Sequence, residues 1–334
     1  MSTPLLEVNG LKVALASPEG ATNVVDGVSF EVRKGETVGL VGESGCGKSM
    51  TAHALLDLFP TPAASITAGA VRFDGIDLRA LSSRQWRELR GARIAMVFQD
   101  PSSFLDPLMP VGRQVAETLI AHGRVASVEA RVSELLTLLE LPDPTLIARK
   151  LPHELSGGQR QRILIAAALA LEPDLLIADE PTTALDVTVQ AGILDMLRRL
   201  RERLGLGLLL ITHDLGVIAQ TCNRVYVMYA GRIVEASDVR SLFKAPRHPY
   251  TRGLLKSTLP FEGEGELFSV PGRVPAPRSM PKGCRFRPRC PAARPDPCES
   301  RDPALADWDG GAVACLRVTE LTGDIWARTA IVDG

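Results

Sequence analysis

No stretch of this sequence is long and apolar enough to cross a lipid bilayer. The longest uncharged apolar runs, near Ile163–Leu171 and Leu204–Ile211, fall well short of the roughly 20 residues that a spanning helix needs. The chain also lacks an excess of charge, because 38 Lys and Arg residues stand against 39 Asp and Glu residues, so we expect no nucleic-acid partner. Residues Met1–Glu7 lack the basic and apolar regions of a secretory signal, from which we expect a cytosolic protein without disulfides.

The composition changes near residues 245–260 of the 334-residue chain. Half of its 24 prolines lie between Pro246 and Pro303, together with three of its six cysteines. Before this point, short apolar runs alternate with longer amphipathic segments, which is typical of parallel strands joined by crossover helices. We therefore predict an α/β core over residues 1–258 and a small Cys-rich extension over residues 259–334.

Apolar runs predict three buried strands, at Thr37–Val41, Leu175–Asp179 and Gly207–Thr212. The spacing of apolar residues predicts a helix over Lys48–Phe59, directly after the first strand. A second helix is predicted to stop at Gly205. Its apolar face is formed by Val189, Ile193, Met196, Leu197, Leu200 and Leu204.

A glycine-rich loop joins the first predicted strand to its helix and matches the pattern G-x-x-x-x-G-K-[ST]. Glycines let the backbone fold closely around phosphates, so that N–H groups and the positive end of the helix point at the anion. Lys48 is the candidate for reaching the β and γ phosphates, and the Ser49 hydroxyl for ligating Mg²⁺. The alternative is a glycine-rich turn followed by a chance Lys-Ser pair. The predicted nucleotide-binding loop consists of Gly42, Glu43, Ser44, Gly45, Cys46, Gly47, Lys48 and Ser49.

Two acids end the predicted strand Leu175–Asp179, and both are expected at the carboxyl edge of the sheet, beside the phosphate loop. Asp179 is the candidate for holding Mg²⁺, and Glu180 for polarising a water molecule that attacks the γ phosphate. A solvated acidic pair without a catalytic role is the alternative.

The segment Leu155–Gln159 reads Leu-Ser-Gly-Gly-Gln and precedes an apolar helix. Together with the phosphate loop, it resembles the signature motif of the ATP-binding cassette (ABC) proteins. Further marks of that family follow at Gln99, Asp186 and His213. The resemblance implies a P-loop NTPase fold, in which a RecA-like core sheet carries an antiparallel β subdomain and a helical subdomain at about residues 100–165.

In this family two cassettes meet head to tail, and the signature of each closes over the ATP that the other binds. The resemblance implies that Gln99 senses Mg²⁺ and the attacking water, and that His213 contacts the γ phosphate and acts with Glu180 in catalysis. Where family members stack the adenine on an aromatic residue, this chain offers only Leu15 as an apolar face. The implied Mg²⁺ ligands are Ser49, Gln99 and Asp179, the signature contacts to the partner's nucleotide are Ser156, Gly157, Gly158 and Gln159, and the D-loop residue is Asp186.

Three C-terminal segments resemble the extension of oligopeptide and dipeptide permease ATPases: Arg247–Leu255, Pro271–Pro275 and Pro281–Pro291. This resemblance implies an ATPase subunit that drives peptide uptake from the cytoplasmic face of the inner membrane. Its partners would be a second, paralogous ATPase subunit, two transmembrane permease subunits and, indirectly, an extracytoplasmic solute-binding protein. The alternatives are a soluble cassette ATPase without a transport role and an importer of another solute, such as nickel or a sugar.

Four cysteines of the extension follow the spacing C-x5-C-x7-C-x16-C, on a Pro-rich segment too short to form a substantial core unaided. Four thiolates suit either a tetrahedral zinc ion or a [4Fe–4S] cluster. The C-x2-C pair usual at zinc sites is absent from the sequence, and Pro291 follows the second cysteine as prolines often follow cluster ligands, so the cluster is favoured. The predicted ligands, with a structural role, are Cys284, Cys290, Cys298 and Cys315.

Overall fold

The structure, a computed structural model, describes residues 3–124, 126–183, 185–258 and 268–326. The chain forms two compact units, each assembled from segments that lie far apart in the sequence. The first unit comprises residues 1–6, 31–37 and 72–211, and the second comprises residues 7–30, 38–71 and 212–334. The predicted boundary between residues 258 and 259 falls at the edge of a segment, 259–267, that lies outside the described residues.

The strands of the described residues are, in chain order, β1 (Leu6–Leu15), β2 (Thr22–Val32), β3 (Thr37–Val41), β4 (Ala64–Phe73), β5 (Ile76–Asp77), β6 (Ile94–Val97), β7 (Leu175–Asp179), β8 (Gly207–Thr212), β9 (Arg224–Tyr229), β10 (Arg232–Asp238), β11 (Ala306–Trp308) and β12 (Gly311–Val313). The helices are α1 (Lys48–Leu55), α2 (Ser83–Leu89), α3 (Pro101–Phe104), α4 (Val111–Ala121), α5 (Val128–Leu138), α6 (Pro144–Arg149), α7 (Gly157–Leu169), α8 (Val187–Leu204), α9 (Leu215–Thr221), α10 (Val239–Lys244), α11 (Pro249–Thr258) and α12 (Pro295–Cys298).

In the first unit, β7 lies between β6 and β8, and all three strands are parallel. The register pairs Leu175 with Ile94 on one side and with Gly207 on the other. Every residue of β7 and β8 is buried, as continuous apolar runs in a parallel sheet require. The predictions of strands at Leu175–Asp179 and Gly207–Thr212 are therefore confirmed to the residue.

The helices of the first unit pack largely on one another, with α7 in contact with α3, α4, α5, α8 and strand β6. Buried apolar side chains such as Val115, Leu135 and Leu136 fill the space between α4, α5 and their neighbours. Helix α8 ends at Leu204, where Gly205 takes the left-handed conformation with φ 63°, so the predicted stop is confirmed.

In the second unit, β9 pairs in parallel with β3 and antiparallel with β10. The short C-terminal strands continue this sheet, since β12 pairs antiparallel with β10 and with β11. Strands β2, β1 and β4 are neighbours in another sheet. The C-terminal residues thus add two strands to the sheet that carries β3.

Helix α1 begins at Lys48 as predicted but ends at Leu55 rather than at Phe59. The helix ends there because Asp57, two residues after Leu55, has a left-handed φ of 51°, which is incompatible with a right-handed helix. Within the described part of the chain, no helix combines the length and apolar composition that crossing a membrane requires.

The C-terminal segment shares a hydrophobic core with β9 and α11. Tyr229 of β9 lies 4.8 Å from Tyr250 of α11 and 5.1 Å from Phe286, measured between ring centroids. Trp326 lies 6.4 Å from Phe286, and its indole N–H donates to the carbonyl of Pro249 at 3.1 Å. These aromatic contacts supply the apolar burial that the Pro-rich segment lacks by itself.

Candidate functional site

The predicted phosphate loop, Gly42–Ser49, joins β3 to α1 in the second unit. A Cβ atom on Gly42 would lie 2.2 Å from the carbonyl oxygen of Met228, so only glycine fits. Gly47 has φ 108°, and a Cβ there would lie 2.7 Å from the carbonyl oxygen of Val24. The glycines at both ends of the loop are therefore required by the fold as well as by any phosphate.

The ammonium of Lys48 lies inside the curve of this loop. The residue is only 5% exposed, and its Nζ donates to the carbonyl oxygens of Gly42 at 2.8 Å and Glu43 at 3.1 Å. Cys46 is buried as well, which raises the pKa of its thiol, and its carbonyl accepts a hydrogen bond from the Gly231 amide at 2.8 Å. The loop thus holds a buried positive charge, while Ser44 and Gly45 are exposed.

The acidic pair lies in the first unit, at the end of β7. Both acids are buried, and Glu180 has a left-handed φ of 46°. Its Oε2 atom accepts hydrogen bonds from the Gln99 amide at 2.9 Å and from the Thr183 hydroxyl at 2.8 Å. Residues other than glycine that adopt this left-handed backbone conformation are often found at functional sites, where neighbouring contacts hold the strained backbone in place.

The predicted signature forms the start of α7 in the first unit. The Ser156 hydroxyl accepts from the Gln159 amide at 3.3 Å, and Oε1 of Gln159 accepts from the Ser156 amide at 3.0 Å, which makes a capping box. A Cβ atom on Gly158 would lie 2.5 Å from Cγ1 of Val189 in α8. The glycine therefore lets the start of α7 approach α8 closely, and the Ser156 side chain remains exposed.

Asp186 caps the N-terminus of α8, where its carboxylate accepts from the Val189 amide at 2.9 Å. His213 follows β8 and is exposed. Leu15 ends β1 and is half-buried. The predicted site residues are thus divided between the two units. The first unit contains Gln99, Asp179, Glu180, Asp186 and the signature, and the second contains the phosphate loop, Leu15 and His213.

Two contacts to the phosphate loop were missed by sequence reasoning. The Glu43 amide donates to the Tyr250 hydroxyl at 2.8 Å, and the Arg289 guanidinium donates to both carboxylate oxygens of Glu43 at 2.8 and 3.1 Å. Both residues lie in C-terminal segments that the sequence had singled out, but nothing in the sequence indicated that these segments contact the loop. Burial raises the pKa of the Tyr250 hydroxyl well above its usual value, so it stays neutral.

The four cysteines predicted to bind a metal line a single small cavity of about 20 Å³. The Cys284 amide donates to the carbonyl of Cys298 at 2.9 Å, and burial raises the pKa of the Cys284 thiol to about 11 and of the Cys290 thiol to about 12. Among the described residues, however, no three His, Cys, Asp or Glu side chains are grouped so that they could hold a metal ion. The four cysteines thus share a cavity without forming a coordination shell.

Comparison with protein families identifies two regions of the chain. Residues 25–183 match the family model of the ABC transporter, and residues 234–298 match that of the oligopeptide/dipeptide transporter, C-terminal region. The first region contains the phosphate loop, Gln99, the signature and the acidic pair, and the second contains Tyr250 and Arg289.

Relatives match the chain over almost its whole length. The "probable peptide ABC transporter ATP-binding protein y4tR" of Sinorhizobium fredii is 50% identical and covers 95% of this chain and 96% of the relative. The oligopeptide transport ATP-binding protein AppD of Bacillus subtilis is 44% identical over 96% of this chain and 98% of the relative. The oligopeptide transport ATP-binding protein OppD of Salmonella typhimurium is 44% identical over 95% and 94%, respectively.

Solved structures support the same assignment. The dimeric ATP-binding cassette MJ0796 bound to ADP and Pi, in a post-hydrolysis state, has a TM-score of 0.63 and 29% identity, covering 70% of this chain and 99% of that cassette. The structure of cbiO1 from Clostridium perfringens, part of the transporter complex cbiONQ, has a TM-score of 0.62 and 27% identity over 73% and 92%. The chain belongs to the ABC transporter family, as an ATPase with the C-terminal region of the oligopeptide/dipeptide transporters.

Proposed function

We propose that this chain is the ATP-hydrolysing subunit of an ABC importer that takes up peptides. The observation that carries this proposal is the match of residues 234–298 to the C-terminal region of oligopeptide/dipeptide transporters, because the cassette alone suits any ABC protein. Relatives of nearly equal length bear the names of peptide or oligopeptide transport proteins. This supports peptide import over a soluble ATPase or an importer of nickel or a sugar.

The phosphate loop binds the phosphates of ATP in this proposal. Its glycines free the backbone N–H groups to face an anion, and the buried Lys48 ammonium can exchange its two carbonyl acceptors for phosphate oxygens. The proposed Mg²⁺ ligands, Ser49, Gln99 and Asp179, are all oxygen donors, which suit a hard cation. Mg²⁺, when bound, neutralises charge that develops on the phosphates during hydrolysis.

Glu180 is the proposed general base, which takes a proton from the water that attacks the γ phosphate. The hydrogen bonds from Gln99 and Thr183 to the same oxygen hold the carboxylate in one orientation, and thereby support this role. His213 is proposed to contact the γ phosphate, and its exposure after β8 leaves it accessible to a ligand.

Two cassettes are proposed to bind ATP between them, with Ser156, Gly157, Gly158 and Gln159 closing over the nucleotide of the partner. The Ser156 side chain is exposed at the positive end of the 13-residue helix α7, which is suited to a phosphate brought by another molecule. Asp186, which caps α8, is the proposed D-loop residue. A similar cassette was solved as a dimer, and we propose that the partner here is a paralogous subunit.

A groove in the helical part of the first unit is the proposed contact with a membrane-spanning permease subunit. It has a volume of about 710 Å³ and lies between α4, α5 and α6. Ile120 on its wall is 52% exposed, and Leu146 of α6 is 53% exposed. Exposed apolar side chains around a groove are typical of a surface that another protein covers. The subunit would then lie at the cytoplasmic face of the inner membrane, with two permeases and, indirectly, an extracytoplasmic binding protein as partners.

The four cysteines are proposed to bind a [4Fe–4S] cluster, with zinc as the alternative. All four cysteines line the same cavity, which supports a shared ligand, but the cavity has room for about one water molecule and must widen to admit a cluster. Iron, sulfide and zinc contents of protein purified without oxygen distinguish the two. Protein that contains no iron, no sulfide and no zinc would overturn the proposal.

ATPase measurements in proteoliposomes test the transport function. The chain is assembled with its permeases and second ATPase, and phosphate release is measured with and without a peptide-loaded binding protein. The rate should rise with the loaded protein and should vanish in the Lys48→Ala variant. An equal rate with and without the peptide-loaded protein would contradict the proposed role in peptide uptake, whereas a rise with a nickel- or sugar-loaded protein would change the cargo.

A further inference from the structure

Arg289 connects the cysteine segment to the phosphate loop. It ends a short 3₁₀ turn, Arg287–Arg289, directly before Cys290, and its side chain is only 5% exposed. The guanidinium makes a bidentate ion pair with the carboxylate of Glu43, the second residue of the loop. Paired N–H···O bonds of this kind fix both position and orientation.

The remaining contacts of Arg289 come from its own C-terminal segment and from Tyr229 of β9. Its Nε donates to the carbonyl of Pro271 at 2.7 Å, and its Nη2 donates to that of Val270 at 3.1 Å. The guanidinium carbon lies 5.7 Å from the ring centroid of Tyr229 and 5.9 Å from that of Phe286. The C-terminal segment therefore holds the charge in place and presents it to Glu43.

Glu43 is also linked to the centre of the loop. Its carbonyl accepts hydrogen bonds from the Lys48 ammonium at 3.1 Å and from the Cys46 amide at 3.3 Å, and its amide donates to Tyr250. A carboxylate at this position would repel a triphosphate, since like charges in a partly buried site interact strongly. The ion pair with Arg289 neutralises that carboxylate and directs it toward the C-terminal segment.

A second arginine of the same segment supports this connection. Arg285 donates to the carbonyl of Ala230 at 2.6 Å and pairs with Asp26. The next residue, Gly231, donates its amide to the carbonyl of Cys46 in the phosphate loop at 2.8 Å. The segment between Cys284 and Cys290 thus reaches the surroundings of the loop at two separate points.

We infer that Arg289 is a positioning residue for nucleotide binding, which neutralises Glu43 so that the phosphate loop accepts the triphosphate of ATP. This inference rests on the proposed role of Gly42–Ser49 in binding ATP. Through Arg289, a segment at the far end of the chain sets the affinity of the loop for nucleotide.

Binding of MgATP to the full chain, measured by calorimetry for the wild type and four variants, tests this inference. The Arg289→Ala variant should bind about tenfold more weakly, because it leaves the Glu43 charge uncompensated near the phosphates. In a Glu43→Gln background the same Arg289→Ala change should cost less than about twofold, so the Arg289→Ala/Glu43→Gln double variant should bind as the Glu43→Gln variant does. Arg287→Ala is the matched control, because Arg287 pairs with Glu299 at 2.8 Å, and it should bind as the wild type does.

The outcomes separate charge from packing. Unchanged affinity in Arg289→Ala, or a tenfold loss from Arg289→Ala in the Glu43→Gln background as well, would overturn the inference, since a purely structural role predicts the same loss in both backgrounds. If the alanine variant does not fold, Arg289→Gln replaces it. This variant keeps a donor for the carbonyls of Val270 and Pro271 and should weaken MgATP binding in the same way. Wild-type protein that binds no ATP would instead contradict the proposed function. The Lys48→Ala variant provides the reference signal for a protein that has lost ATP binding.

Discussion

The amide nitrogen of Gln99 lies 2.9 Å from Oε2 of Glu180, although 81 residues separate the two in the chain. Strand β7 places the glutamate and β6 leads to the glutamine, and the two strands are neighbours in the parallel sheet. The Thr183 hydroxyl donates to the same oxygen. Two donors on one oxygen fix the carboxylate of the proposed general base relative to the sheet.

The Glu180→Gln variant should lose ATP hydrolysis but keep ATP binding. An amide has the shape of the carboxylate but cannot take a proton from water, and loss of a general base lowers rates by about 10²- to 10⁴-fold. Phosphate release measures the rate, and gel filtration with MgATP should show a stable dimer. The Thr183→Ala control removes only one orienting hydrogen bond and should cost less. A Glu180→Gln protein with the wild-type rate would exclude Glu180 as the base.

The Gly158→Ala variant should be less stable than the wild type by about 1–3 kcal/mol, since overpacking a close contact forces neighbours to move. The added Cβ would meet Val189 at 2.5 Å. Gly192 of α8 is the matched control, because a Cβ there would meet Arg162 at an ordinary 3.6 Å, and alanine should stabilise that helix by about 0.5–1 kcal/mol. Urea unfolding of the two variants measures the difference. Equal effects at both positions would show that the close approach of α7 and α8 is not what requires Gly158.

The sequence predicts those parts of the fold that local pattern determines. Strands β7 and β8 were predicted to the residue because buried parallel strands are continuous apolar runs, and Gly205 marked the end of α8. The predicted end of α1 was wrong because the true end depends on the backbone conformation of Asp57, which the spacing of apolar residues does not indicate. Motif residues could be named by type and order, but their contacts could not.

The contact between Arg289 and Glu43 shows why the rest was beyond prediction. These residues are 246 positions apart, and only the packing of the C-terminal segment on β9 and α11 brings them together. The cysteines show the same limit, because spacing identifies four thiols but not the arrangement of their sulfur atoms. Pairwise geometry across long sequence separations is a property of the folded chain.

Asp26 should make stability depend on pH at the acid end. It is 8% exposed, lies 3.0 Å from Lys12 and 2.7 Å from Arg232, and also pairs with Arg285. Burial alone would raise the pKa of the Asp26 carboxyl, but hydrogen bonds from Arg232 and Lys12 and the charge of Arg285 lower it well below its usual value. In the unfolded chain the carboxyl has a pKa of about 3.9, so it takes up a proton at a higher pH than in the folded protein.

The Asp26→Asn variant should therefore be less stable by about 3 kcal/mol at neutral pH, because it removes the buried carboxylate that three partly exposed cations share. The difference from wild type should stay constant down to a pH of about 4 and shrink as the pH falls further toward the folded pKa. Urea unfolding across this range measures it. The exposed Asp195→Asn control, which removes a surface ion pair with Arg198, should change little. A difference that grows on acidification would contradict the assignment.

Leu15 offers a test of how the adenine is recognised. It is half-buried at the end of β1, and it is our candidate for the adenine contact because it lies in Leu11–Leu15, where the family resemblance implies an aromatic residue. A Leu15→Tyr variant adds a π face, and aromatic stacking contributes about 0.5–1.5 kcal/mol, so the Kd for ATP should fall about two- to tenfold. Inorganic triphosphate has no base to stack, so its affinity should not change, and Leu15→Met should affect neither ligand. Competition binding of the two ligands measures both affinities. If triphosphate binding tightened as much as ATP binding, Leu15 would act on the phosphate loop rather than on the base.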